Sequence, residues 1–301
     1  MIYFIFVALL TPFFDALGNI VDGRLSRAMN LHSNIFYRWV ISLLVVPLVL
    51  VFWLPSFPTA WAWPVILLWG FVHVLYLYPY TLALQSIDTS IVTALFSLGK
   101  SMIPVLAFCM VGEKLTPEVY VGFLMIMSAS VFLSLVEVEG AFRINKAFFY
   151  MLACSFILAF NAVAEKFILN TQTDWITLFF WSQVVSIVVT GMLLVFPKYR
   201  KDVRVGYADF RDNLLSLVLQ SALELAGAAA FIFAIYISPV TFVSWVEALQ
   251  PLMVLGFSYC IHQVYPAFVF EAFHKEKIRQ KLFWFLCLLV WVSFLTHGFT
   301  R

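Results

Sequence analysis

Apolar residues run along this chain in long blocks, broken by short clusters of charged residues, glycines and prolines. A helix that crosses the hydrocarbon core of a bilayer needs about 20 predominantly apolar residues. Ten blocks have that length, roughly 2–22, 34–54, 63–85, 88–111, 117–137, 146–168, 175–196, 213–236, 239–261 and 281–299. The alternation of period two that marks a membrane β-barrel is absent from them. The pattern predicts an all-α polytopic membrane protein with ten transmembrane helices. Pro55, Pro58, Pro117, Pro197 and Pro239 fall at or near block ends, where a missing amide is tolerated. Pro12, Pro47, Pro79, Pro104 and Pro251 lie inside blocks, where each should kink its helix or free a carbonyl. Trp53, Trp61 and Trp63 read as an interfacial aromatic belt.

Two blocks look like copies of one another. Thr93–Pro104 carries Lys100 one turn before its proline, and Val240–Pro251 carries Glu247 one turn before its own; both pairs are offset by 147 residues. The similarity continues elsewhere. Asn19 followed by Arg24 resembles Asn161 followed by Lys166, and His73 with Ala83 matches Glu224 with Ala234. Five helices per copy is an odd number, so the second copy must enter the membrane from the opposite side. The expectation is two inverted five-helix repeats, 1–140 and 141–301.

Composition agrees with a membrane protein: 63% of the 301 residues are hydrophobic and only 11% are charged. A net charge of +2 is too small to suggest nucleic acid as a partner. Cys109, Cys154, Cys260 and Cys287 lie in apolar stretches without metal-ligand spacing, so they read as small buried hydrophobes and no metal site is expected. The first block lacks a basic leader and contains Asp15, so it reads as a retained helix rather than a signal peptide. The polar stretches 198–212 and 271–281 read as solvated connectors with basic anchors near lipid headgroups. Basic residues concentrate in the odd-numbered connections, which the positive-inside rule places in the cytoplasm.

Helical spacing sorts the remaining polar residues onto faces. Asp15, Asn19 and Asp22 share one stripe; so do His73, Tyr76 and Tyr80; so do Gln220 and Glu224. Ionisable groups at mid-membrane must face one another or a wet cavity. Lys100 and Glu247 read either as an ion pair locking two halves or as a substrate or coupling site. Glu224 has no basic residue near it in its own block, so it is a candidate carrier of a coupling proton; a neutral acid costs far less to bury than a carboxylate. His73 is either a relay for that proton or a hydrogen-bonded packing residue. Asp15 and Asn19 either line the cavity or satisfy backbone near Pro12. Arg38 is expected to snorkel at a membrane end, and Glu113 to serve a turn and cap. The candidate pathway comprises Asp15, Asn19, His73, Tyr76, Lys100, Asn161, Glu224 and Glu247.

Asn19 with Arg24, Arg38, Pro104 and the stretch Gly112–Thr116 together resemble the drug/metabolite transporter superfamily, in its EamA-like branch. The second half departs from the pattern, with His262–Pro266 where a second Gly-Glu turn is expected. The resemblance implies both termini in the cytoplasm, against the charge bias, and a bacterial inner-membrane protein. It also implies a peripheral last helix in each half that supports a homodimer. Phosphate loops and hydrolase or metalloprotease motifs are missing, so neither an enzyme nor a cofactor is expected. The function expected is secondary transport of a small polar, zwitterionic metabolite by alternating access, coupled to a proton or ion. The alternatives are a lipid translocator and a non-transporting membrane scaffold.

Overall fold

The helices begin and end close to the block limits, and prolines set the interruptions. The computed structural model describes residues 2–52, 54–96, 99, 102–113, 146–171 and 173–269, with scattered positions between 117 and 128 and between 271 and 287. No strand occurs among the described residues. Helix α1 spans Ile2–Ala28 and α2 spans Leu31–Phe52, each containing a proline. The third block is two helices, α3 (Trp63–Leu75) and α4 (Leu77–Ser86), separated at Tyr76. Pro79 lacks an amide hydrogen, and its ring crowds the carbonyl four residues back, that of Leu75. The fourth block begins as α5 (Thr89–Leu95) and ends as α6 (Ile103–Val111).

In the second half, α7 spans Lys146–Leu169 and α8 spans Trp175–Met192. Asp174 caps α8, accepting from the Thr177 amide at 2.8 Å. Two short helices follow, α9 (Pro197–Val205) and α10 (Tyr207–Asp212), and then α11 (Leu214–Ile237). The ninth block is α12 (Val240–Val246), a 3₁₀ turn Glu247–Leu249 and α13 (Gln250–Val264). Pro251 stands four residues after Glu247, so the tight turn falls where the proline frees that carbonyl. Six helical stretches among the described residues are long and apolar enough to cross a membrane. Blocks 117–137 and 281–299 lie largely outside the described residues.

The stretch 198–212 is not a loose connector. Tyr199 and Val203, one turn apart, are buried against Val21 and Leu25 of α1 and Tyr37 of α2. The Tyr37 hydroxyl donates to the Val203 carbonyl at 3.0 Å, and His32 Nδ1 lies 2.6 Å from Asp202 Oδ2. The i,i+4 apolar pair is enough to dock the segment, while Lys198, Arg200, Lys201 and Arg204 stay exposed. Of the four cysteines, Cys154 is buried but Cys109 and Cys260 are exposed on helix surfaces. Those surfaces suit lipid contact, where a thiol is as acceptable as in a core.

Helix α1 packs most extensively on α11, α3 on α8, and α4 on α7. The approach of α7 is tightest at Gly99, where a Cβ would stand 2.0 Å from the Ser155 carbonyl oxygen. A backbone oxygen cannot swing aside, so Gly99→Ala is expected to cost roughly 1–3 kcal/mol. The control is Gly191→Ala, whose Cβ meets nothing within 4 Å and which should leave the unfolding midpoint in detergent unchanged or slightly higher. Equal midpoints for the two variants would contradict this contact.

Candidate functional site

The interrupted helices enclose a cavity of about 220 Å³, lined from α1, α2, α3, α4, α7, α11 and the turn at Glu247. Both proline-linked breaks present a residue to it, Tyr76 and Glu247. Asp15, Asn19, His73, Asn161 and Glu224 line it as well. Of the eight residues expected from the sequence, these seven share one cavity. Lys100 lies outside the described residues, and so does its expected pairing with Glu247.

Arg38 does not snorkel. Helix α2 begins at Leu31, so Arg38 sits about two turns inside it, 4% exposed. Its Nη2 donates to Asp22 Oδ2 at 2.9 Å, and its Nε donates to Glu224 Oε2 at 2.5 Å. The other Glu224 oxygen lies 3.2 Å from His73 Nε2. Asp22 Oδ2 also accepts from Gln220 Nε2 at 2.9 Å and from the Tyr80 hydroxyl at 3.4 Å. That hydroxyl donates to Asn19 Oδ1 at 2.5 Å. The hydroxyls of Ser42 and Ser221 both donate to the Arg38 carbonyl, tying α2 to α11. One guanidinium therefore joins carboxylates from two different helices.

This corrects the picture of Glu224 as an acid without a cation. Its cation comes from α2, 186 positions away in the chain. Helical periodicity reads one helix at a time and has no signal for such a partner. His73, the candidate relay for Glu224, does lie against it, a contact the sequence could not establish. Sequence reasoning also passed over Glu165, whose Oε1 accepts from Asn161 Nδ2 at 3.0 Å. The available signal was their spacing of four on one helix face.

Glu113 is a cap, as expected, but for a helix of the other half. Gly112, with φ of 74°, ends α6 in the left-handed conformation that glycine adopts without strain. Glu113 then accepts from the Val240 amide at 3.1 Å and the Thr241 hydroxyl at 2.7 Å, at the start of α12. Glu271 plays the matching part for α5, accepting from the amide and hydroxyl of Ser90. It stands several residues beyond the place where a second Gly-Glu turn was sought. Bases cap the preceding helix ends: Arg27 donates to the Ile87 carbonyl at 3.0 Å, and Lys166 to the Ser238 carbonyl at 3.1 Å. Acids at helix starts and bases at helix ends both complement the helix dipole.

Among solved structures, a crystal structure superposes with a TM-score of 0.62 at 14% identity, over 98% of this chain and 95% of that chain. At that identity the match shows a shared fold. No curated protein matches this chain. Residues 2–135 match the EamA-like transporter family, a branch of the drug/metabolite transporter superfamily, so the first part of this chain is similar to that family. With six helices long and apolar enough to cross a membrane among the described residues, this supports an integral membrane protein.

Proposed function

We propose that this protein is a secondary transporter that moves a small polar metabolite across the membrane by alternating access. The observation that carries this reading is the cavity itself. Buried ionisable groups are expensive inside a membrane protein unless they pair or face water, and here they converge from several helices on one open space. A scaffold would fill that space with large side chains.

In this reading the chain is built from ten membrane helices in two inverted repeats, 1–140 and 141–301. Paired features support the repeat. Ile87 and Ser238, each capped by a base, are offset by the same 151 residues as His73 and Glu224. Glu113 caps α12 and Glu271 caps α5 in a reciprocal exchange, with the two acids offset by 158 residues (271 − 113). The cavity then lies between halves that can rock about it. Coupling to a proton or ion acts through the Arg38–Glu224–His73 contacts, and the protein is not an enzyme. A homodimer formed through the last helix of each half and residence in a bacterial inner membrane belong to the same proposal.

Alternating access is tested at Ala228, which lines the cavity. Ala228→Cys, in a background with the four native cysteines replaced by alanine, should react with a membrane-impermeant maleimide from either side of oriented vesicles. Saturating substrate or a pH gradient should shift the two rates in opposite directions. Labelling from one side only, under every condition, would count against the proposal.

A further inference from the structure

The polar atoms left over in the cavity are unevenly matched. Arg38 is already committed to Asp22 and Glu224. Four buried acceptor atoms in the lining have no hydrogen-bond partner: Asp22 Oδ1, Glu165 Oε2, Asn161 Oδ1 and Gln220 Oε1; one donor, Asn19 Nδ2, is in the same position. Asn161 and Gln220 each donate an N–H to a carboxyl oxygen, which leaves their own oxygens as the open atoms.

We propose, resting on the transport reading of the cavity, that the Asn161–Glu165 face of α7 binds the ammonium group of a small organic amine. Glu165 is 1% exposed and Asn161 7% exposed, and both open oxygens sit one turn apart on one helix. An ammonium carries three N–H donors and no acceptor, which suits a wall of open acceptors. Trp69, Tyr76, Phe96 and Phe231 line the remaining wall; aromatic faces attract cations and also accept an apolar body. The volume of about 220 Å³ is below the roughly 300–1,000 Å³ of drug-sized pockets, so the amine is small. In the Arg38 cluster the guanidinium already offsets Asp22 and Glu224, so its leftover oxygens draw an ammonium less than the Asn161–Glu165 face of α7 does.

Three probes of similar size separate charge from shape: phenethylamine, 2-phenylethanol and 3-phenylpropionate. Each is titrated calorimetrically into the full-length protein in lipid nanodiscs, with empty discs subtracted. Phenethylamine should bind at least tenfold tighter than either of the others. Glu165→Gln should weaken the amine at least tenfold and leave 2-phenylethanol unchanged. The charge series on the unsubstituted protein keeps the test sharp even where the variant does not fold. Equal affinity for all three probes, or an amine affinity unchanged by Glu165→Gln, overturns this inference while leaving the cavity a ligand site. Binding by none of them overturns this inference, while the transport reading stands or falls on the Ala228 labelling.

Discussion

Arg38→Met is expected to be the most damaging single substitution in the protein. It leaves the Asp22 and Glu224 carboxyls buried, at 3% and 13% side-chain exposure, without their shared cation. Removing one member of a buried ion pair costs about 3–5 kcal/mol, because the remaining charge stays out of water unpaired. Against a typical total stability of roughly 5–15 kcal/mol, that is a large share. The variant should lose its unfolding midpoint in detergent by many degrees, and transport with it. The triple substitution Asp22→Asn, Arg38→Met, Glu224→Gln removes the uncompensated charges and should recover much of the midpoint, since apolar or neutral replacements of a whole buried network are often tolerated. Transport should not return. A single Arg38→Met variant with an unchanged midpoint would mean that the network is not buried as described.

Glu224→Gln has the second largest expected effect, and on transport rather than folding. The glutamine keeps the side-chain shape and an oxygen that can accept from Arg38 Nε, at the 2.5 Å contact. It loses the charge, so nothing remains at that position to be shared between Arg38 and His73 or to exchange with a proton. In proteoliposomes the variant should still exchange substrate across the membrane, while accumulation driven by a pH gradient falls at least tenfold. The contact with His73 at 3.2 Å gives the proton a neighbour, which sequence alone did not establish. A glutamine variant that still concentrates substrate in response to the gradient would remove Glu224 from the coupling path and leave Asp15 or Glu247 to fill that role.

Membership of one helix face was legible in the chain. The stripe of Asp15, Asn19 and Asp22 and that of His73, Tyr76 and Tyr80 follow from the helical period alone, and both face the cavity. Tyr80 illustrates the gain in going further: its spacing placed it on the right face, while its bond to Asn19 needed the packing of α4 on α1. Arg38 stands four residues into the apolar block that starts at 34, which reads as a membrane end. The helix begins earlier than the apolar block does, since Leu31 to Ser33 continue the turn, with Asn30 accepting from the Ser33 amide at 2.9 Å.

The sequence by itself determined where the long apolar helices among the described residues run, and at Pro79 and Pro251 where they break. Bilayer thickness sets the length of the apolar blocks, and proline removes a particular amide, so both are written locally. It also determined the EamA-like resemblance of the first half, later matched over residues 2–135. The tertiary structure alone decided who pairs with whom. Glu224 meets Arg38 across 186 positions, and Glu113 caps a helix 127 positions away. Such choices depend on how each helix is rotated and how deep it sits against its neighbours. Those are properties of packed surfaces, to which every helix contributes and which no single stretch of chain encodes.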